Sequence, residues 1–501
     1  MGRGILKAPL PVALLIPLSE GAGPLFRQVY LGLRQAILSG SLRKGERIPS
    51  TRELAEQLGI SRTVVVLAYD QLLAEGFVVG RGGSGTYVAE SLEADRARSS
   101  AHLTRFRLSR YGAAVERRAA DALAQGPGVP RPLRYDFASG RTEVESFPFE
   151  LWRRMLLANA RRASLRELDY GPAGGRLALR EAIAAHLRRS RAVVCDPAQV
   201  IVVNGSQQGL DLVARVLIER GDAVAIEDPQ YQGVRDAFLA AGARLQPVEV
   251  DRDGLDPARL PARSRLVFVT PSHQFPTGAI LPLARRLALL KWAQRTGAVV
   301  LEDDYDGEFR YDGQALESLQ GLDPEGRVIY SGTFSRTVFP ALRIGYLVVP
   351  RPLVHAFTAA KWITDRHTPT LEQQTLADFI AGGMYERHLR RLRRRNAARR
   401  RTLLEAIHKH LGDRVEVTGD GAGAHIVLWP RGRHSEDALV RKAAAHSVGI
   451  YGVAKYFLHR PSPPGMVLGY ARLKEHEIRE GIRRLGEALF IRVHSWPSQK
   501  A

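Results

Sequence analysis

Five short apolar runs recur through the chain after residue 135: VIVVNG (200–205), AVAIED (223–228), RLVFVT (265–270), AVVLED (298–303) and RVIYSG (327–332). Near-continuous runs of this length read as strands buried on both faces, the pattern of a parallel sheet. Helical stretches such as QQGLDLVARVLIER (207–220) separate them. An α/β domain with helices on both sheet faces follows, and its ligands should gather at the strand C-termini. The polar motifs of the chain stand at those ends.

A chain of 501 residues is longer than one ordinary core supports, so two or three domains are expected. Cys195 is the single cysteine, which excludes an intrachain disulfide and fits a reducing cytoplasm. The start, MGRGILKAPLPVALLIPL, is apolar but broken by Pro9, Pro11 and Pro17, and it is not expected to be a secretion signal. No stretch approaches the roughly 18 apolar residues of a membrane span, so a soluble protein with no membrane partner is expected.

The formal charge of +21 and pI of 10.4 suggest a polyanionic partner, nucleic acid first. Only nine of the 73 basic residues are lysines, a bias that can also reflect composition. In RHLRRLRRRNAARRR (387–401) the arginines would surround a stripe of Leu389, Leu392 and Leu403. A solvated helix face is the preferred reading, a nucleic-acid patch the other.

Residues 24–88 carry their own punctuation. PLFRQVYLGLRQAILSG has Leu25, Val29, Leu33, Ala36 and Ile37 at helical spacing and ends at Gly40. After the turn-rich LRKGERIPS, Ser50 or Thr51 can cap RELAEQL, which stops at Gly59. Ser61 can cap RTVVVLAYDQLLAEG, closed by Gly76. Two short helices joined by a tight turn predict a helix-turn-helix, and FVVGRGGSGTYVAE (77–90) predicts two strands around a glycine turn.

Through IPSTRELAEQLGISR and GSGTYV this unit, bounded at residues 1–90, closely resembles the winged-helix domain of the GntR family of bacterial transcription regulators. The resemblance implies that Arg52, Ser61, Arg62 and Thr63 contact double-stranded DNA. It also implies that Arg81, Gly82 and Gly83 set the wing near the backbone or minor groove. A recognition helix offering its N-terminal residues to base edges agrees with this. The alternative is a winged helix used for protein contacts alone. Residues 91–134, rich in Ala, Arg and Ser and closed by GPGVPRP, read as a linker, partly helical at most.

Residues 135–501 contain, in order, YDFASG, SFPFELWRR, DYGPAGG, NGSQQGLDL, EDPQYQG, TPSHQFPTG, LEDDYDGEFRYDG and SGTFSRTVFPALRIGYL. They resemble a fold-type I, class I aminotransferase, and the order winged helix, linker, aminotransferase domain is that of MocR-type regulators. The resemblance implies a pyridoxal 5'-phosphate site. Gly205, Ser206 and Gln207 would cradle the phosphate at a helix start, and Thr333, Ser335 and Arg343 would complete the cup. Tyr231 would stack on the pyridine ring and Tyr305 would hydrogen-bond its oxygen. Asp303 would pair with the ring nitrogen, with Asp304 as rival, since the family usually spaces this aspartate three before the tyrosine whereas Asp303 precedes Tyr305 by two. His273 and Gln274 stand near a turn that lacks the usual asparagine. For an effector carboxylate Arg472 is the nearest candidate, with Arg235 second.

Where the family carries the lysine that binds the cofactor covalently, this chain has Arg336. Lysine serves there because its amine can lose its proton, whereas a guanidinium stays charged. Lys361 lies on a different segment and is not expected to substitute. The resemblance therefore implies a homodimeric, cytoplasmic, DNA-binding transcription regulator that senses a small amine or vitamin-related effector, with pyridoxal phosphate bound non-covalently or lost. No metal is expected. A working aminotransferase and a purely structural dimer remain the alternatives, and Arg336 is read either as erosion or as a residue that pairs with an anionic ligand.

Overall fold

The computed structural model describes residues 16–19, 21–90, 107–124, 133–311, 316–459 and 464–490. The apolar start and much of the expected linker lie outside them. The chain divides into two compact units, Met1–Arg107 and Leu108–Ala501.

In the first unit, helices α1 (Leu25–Leu38), α2 (Thr51–Leu58) and α3 (Arg62–Ala74) are followed by the hairpin β1 (Val78–Arg81) and β2 (Gly85–Val88). Ser50 is the cap of α2: its hydroxyl accepts from the Glu53 N–H, and the Glu53 carboxylate accepts from the Ser50 N–H at 2.9 Å. Gly59 ends the helix in the left-handed region at φ 66°, which costs glycine little. Val29, Leu33, Leu54, Val65 and Leu72 are wholly buried, and each contributes about 1.5–3 kcal/mol of apolar burial. Of the expected α1 face, Val29, Leu33 and Ile37 are buried and Ala36 packs against them, while Leu25 is exposed and Tyr30 joins the buried side. The Tyr30 hydroxyl bonds Glu75 at the end of α3. The buried Tyr69 hydroxyl donates to the Pro49 carbonyl at 2.7 Å and fixes the connector against α3.

The second unit begins with helix α4 (Arg110–Ala124), inside the stretch read as linker. It packs on the helix Gln232–Ala241, and Arg215 lies over the Tyr111 ring at 5.8 Å. Composition hid this helix because its docking surface belongs to residues a hundred positions away.

The centre is an eight-stranded sheet in the order Val200–Val203, Gly345–Val348, Val328–Thr333, Val299–Asp304, Leu266–Val269, Ala223–Asp228, Arg244–Asp251, Gly254–Leu255. The five strands anticipated from the apolar runs all point the same way. Gly345–Val348, which the runs did not reveal, is antiparallel to both neighbours and inserts between Val200–Val203 and Val328–Thr333. Helices cover both faces, and nearly all the apolar strand residues are buried. The 27-residue helix Met384–His410 leads to a four-stranded antiparallel sheet with its own core around Ile426, Leu428, Met466 and Leu468.

Replacing Ser50 with Ala should remove the reciprocal cap and destabilise the first unit by about 0.5–2 kcal/mol. Thermal unfolding followed by circular dichroism checks this; an unchanged transition would mean that the cap contributes nothing.

Candidate functional site

All seven winged-unit residues singled out for DNA are exposed: Arg52, Ser61, Arg62 and Thr63 at the α2 and α3 starts, Arg81, Gly82 and Gly83 on the wing. The Ser61 hydroxyl makes no capping bond, so it is open to a partner. Arg62 rests against the Thr51 hydroxyl at 3.4 Å, and Arg52 pairs with Glu56 at 3.3 Å. Arg81 stacks over Tyr87 at 4.9 Å and pairs with Glu90 at 2.8 Å. The hairpin turns through Gly83 at φ 74°. Arg47, not singled out beforehand, packs against Gly85, where a Cβ would fall 2.9 Å from its Nε.

In the larger unit, the C-terminal ends of five parallel strands and the turns that follow them build one pocket. Gly205, at φ 78°, turns the chain from Val200–Val203 into the helix Ser206–Leu217. The first N–H groups of a helix have no partner within it. The Arg343 guanidinium lies over this turn, donating to the Asn204 carbonyl at 3.2 Å, and a Cβ on Gly205 would meet Arg343 Nη2 at 2.4 Å. From behind, Asp365 holds the turn by accepting from Asn204 Nδ2 at 2.5 Å and Gln208 Nε2 at 2.7 Å. Its other oxygen takes Lys361 Nζ at 2.5 Å. Lys361 is fully buried and committed to this pair.

Gln207 donates to the Gly233 carbonyl at 3.0 Å and accepts from the Tyr231 hydroxyl at 3.4 Å. Tyr231 stands edge-on to Phe275 with ring centres 6.2 Å apart. Phe275 also meets Tyr305, His425 and Tyr456 at 4.9–6.0 Å, forming an aromatic wall. Thr333 is buried at the end of its strand, and its hydroxyl accepts from the Ser335 N–H at 3.2 Å.

The strand Val299–Asp304 separates the two rival carboxylates, since successive side chains point to opposite faces. Asp304 is bonded to Arg191 at 2.6 Å and to the Tyr330 hydroxyl at 2.5 Å. Asp303 accepts from the Ser331 hydroxyl at 3.0 Å. Burial pushes the Asp303 carboxyl up to about 7, the Ser331 bond opposing that and the Asp304 charge adding to it, while Arg336 draws it down. Tyr305 donates to the His273 carbonyl at 3.0 Å. Burial raises its pKa well above the ordinary phenol value, so it is a neutral donor.

Arg336 is half-buried. Its guanidinium carbon lies 5.8 Å from the Tyr305 ring centre, and a Cβ on Gly140 would come within 3.1 Å of its Nη1. Among the described residues it has no hydrogen bond or ion pair. The pocket thus holds a cation without an ion-pair partner among the described residues, near a buried carboxyl whose pKa burial has raised.

Two expected neighbours part company. His273 bonds the Tyr305 hydroxyl at 3.1 Å and Asp306 at 3.0 Å. Gln274 instead braces the turn through Glu227 and the Pro229 carbonyl. Arg472 is exposed in a groove of about 590 Å³ with Arg134, Arg141 and Lys474, and none of the other pocket residues lines that groove. The chain leaves the strand Met466–Gly469 after the buried Tyr470 and Ala471, which turns Arg472 outward. Arg235 is engaged with the Lys455 carbonyl at 3.1 Å.

Phe275, His425, Tyr456 and Gly140 were not anticipated as pocket residues. His425 donates through Nε2 to the Pro276 carbonyl at 3.0 Å, and burial holds its imidazole well below the ordinary value, hence neutral. His273, Asp306 and His425 bring ligand-type atoms within 4.8 Å of one another. The bonds to Tyr305 and Pro276 already engage both rings. A lone histidine in GAGAHIVLW carried no signal before the sheet placed it.

Residues 137–485 match the family described as aminotransferase class I and II, and residues 25–88 match the bacterial regulatory proteins, gntR family. The chain is 41% identical over 476 residues to the probable rhizopine catabolism regulatory protein MocR of Rhizobium meliloti, covering 94% of this chain and 95% of that protein. It is 31% identical to the HTH-type pyridoxine biosynthesis transcriptional regulator PdxR of Corynebacterium glutamicum, covering 97% and 100%. Among solved structures it resembles the kynurenine aminotransferase of Pyrococcus horikoshii, with a TM-score of 0.67 and 28% identity over 78% of this chain and 96% of that one. LysN, the α-aminoadipate aminotransferase of Thermus thermophilus, gives 0.68 and 29% over 76% and 97%. With a winged helix of the gntR family joined to a fold-type I aminotransferase domain, and with such relatives along almost its whole length, the chain belongs to the MocR-type transcription regulators of the GntR family.

Proposed function

We propose that the larger domain of this regulator is a sensor that holds a pyridoxal-phosphate-type ligand without a covalent bond, and that its occupancy acts on double-stranded DNA binding by the winged unit. The observation that carries this reading is Arg336, a permanently charged side chain set beside Tyr305 and Gly140 in a pocket whose other residues suit the group. The donor set fits. The helix start at Ser206 and Gln207, the Thr333 and Ser335 hydroxyls and Arg343 suit a phosphate. Asp303 suits a protonated ring nitrogen, Tyr231 a ring face, and Tyr305 a ring oxygen.

When bound, pyridoxal phosphate supplies an electrophilic carbonyl on an electron-withdrawing ring. Arg336 cannot bond to that carbonyl, because its guanidinium does not lose a proton near neutrality. It can orient an anionic group by charge-assisted hydrogen bonds. Transaminase turnover through this position is therefore not part of the reading. A vitamin-related or small amine effector suits a site of this kind, and the former accords with the relative named for pyridoxine biosynthesis.

Homodimerisation belongs to the same reading. Leu165, Tyr170 and Ile363 are 89%, 79% and 82% exposed, and Tyr170 meets the His367 ring beyond the end of the helix that carries Ile363. Apolar groups so placed favour a covering partner. A cytoplasmic location accords with a DNA-binding role. No helix among the described residues is long and apolar enough to cross a membrane.

Four outcomes test this. Wild-type protein given pyridoxal phosphate should show an absorbance change that dialysis reverses. Arg336→Lys should gain a borohydride-fixable adduct at residue 336, read by mass spectrometry. An adduct on another lysine of the wild type would favour the enzyme alternative, and a folded Arg336→Lys protein without one would favour the structural dimer.

Arg62→Ala should weaken binding to the chain's own promoter fragment by about 1–3 kcal/mol if it reads a guanine; undiminished affinity in a mobility-shift titration would remove Arg62 from the interface. Sedimentation should show a dimer that Ile363→Asp shifts toward monomer, and an unshifted dimer would place the interface elsewhere.

Asp303 gives a pH dependence. Its native pKa of about 7 exceeds the unfolded value of about 3.9, so the native state holds the extra proton and loses stability as pH rises through that interval. Asp303→Asn removes the loss. The variant's stability relative to wild type should therefore increase from pH 5 to pH 8, by on the order of 1–3 kcal/mol. Parallel melts at the two pH values would show no such divergence if Asp303 were ionised in the native pocket throughout.

A further inference from the structure

The helix Met384–His410 carries a charge that the sensor pocket and the winged unit leave unused. Arg387, Arg390, Arg391, Arg394 and Arg401 are all exposed. At about 100° per residue they fall within one arc of about 100° on the helix, and the row runs about 21 Å at about 1.5 Å per residue. The remaining arginines of the run serve the fold: Arg393 donates to the Glu308 carbonyl, Arg395 and Arg399 meet Glu143, and Arg400 lies against Tyr311 and Asp420. Among the described residues none of the five in the row has an ion pair or side-chain hydrogen bond.

Some exposed arginines on other helices stand one turn from a carboxylate that they pair with, as Arg52 does with Glu56, Arg153 with Glu150 and Arg215 with Asp211. Others, such as Arg154, Arg295 and Arg441, have no ion pair among the described residues, and what distinguishes the row is five such arginines on one side of a single helix. In the arginine row the one carboxylate of the first turn, Glu386, is taken by His186 at 3.0 Å. That bond joins the row to the end of the helix Leu177–Arg191, where Arg188 and Arg189 are also exposed. The row repels itself at three- and four-residue spacing, and its first members lie at the positive end of the helix dipole. A polyanion relieves both costs.

We propose that this row is a second contact to double-stranded DNA, made to the phosphate backbone and independent of base reading by the winged unit. A 21 Å length of duplex presents on the order of a dozen phosphate charges at about one per 1.7 Å. No large apolar side chain of this helix is exposed, so it offers neither the aromatic platform of a single-strand binder nor the apolar face of a membrane-surface helix. The chain already belongs to a family of DNA-binding regulators, and a straight arginine row suits a duplex.

The test uses the full chain and a labelled duplex of arbitrary sequence several helical turns long, titrated from low to physiological salt. Replacing Arg387, Arg390, Arg391 and Arg394 together by Gln should lower the slope of log affinity against log salt by about 3.6, at about 0.9 per lost phosphate contact. The corresponding Lys replacements should restore it. Circular dichroism and sedimentation of the Gln variant should match wild type; if it misfolds, the four single Gln variants carry the test, each expected to lower the slope by just under 1. Arg62→Ala should alter sequence preference while leaving most of the slope that the row supplies. An unchanged slope in folded Gln variants overturns the proposal. So does unchanged duplex binding alongside lost binding to single-stranded RNA or to phosphatidylserine vesicles, which would assign the row to another polyanion.

Discussion

Burial of the central sheet on both faces is the constraint from which the pocket follows. Strands such as Val200–Val203, Leu266–Val269 and Val328–Thr333 are inaccessible along their whole length, so polar side chains can gather only where the strands end. Parallel direction brings those ends to one edge. There the turn at Gly205, the Tyr231 turn, Asp303 with Tyr305, and Thr333 with Arg336 meet from segments far apart in the chain. The reversed strand Gly345–Val348 does not disturb this, because it delivers Arg343 to the same edge from its other end.

Around that edge the structure is braced from outside the pocket. Asp365 ties Asn204, Gln208 and Lys361 together, and the Arg191, Asp304 and Tyr330 cluster fixes the strand that carries Asp303. Buried polar networks of this kind are costly when incomplete and rigid when satisfied. With the surroundings held so firmly, the change from lysine to Arg336 alters chemistry without requiring a new framework. The side chain keeps its charge and stays near Tyr305 and Gly140.

The winged unit was legible almost residue by residue. Its helices end at glycines, begin at Ser50 and Ser61, and bury a regular apolar face, so each signal is local. Only the burial of Tyr30, whose hydroxyl bonds Glu75, and the exposure of Leu25 needed the tertiary structure. In the larger unit the five apolar runs and the pocket residues that stand directly after them were legible for the same reason. Helix α4 was not, because a short Ala- and Arg-rich helix is stabilised by the surface it docks on.

The sequence by itself determined the two-domain order, five strands of the central sheet, the winged helix and the replacement at position 336, since these depend on periodicity, capping residues and side-chain identity. Tertiary structure decided which of two adjacent carboxylates enters the pocket, because strand alternation gives opposite faces to Asp303 and Asp304 and Arg191 claims the latter. It also decided that Arg472 turns outward while Phe275, Tyr456 and His425 close the wall. These choices depend on how separate sheets and turns meet, and no spacing along the chain encodes that meeting.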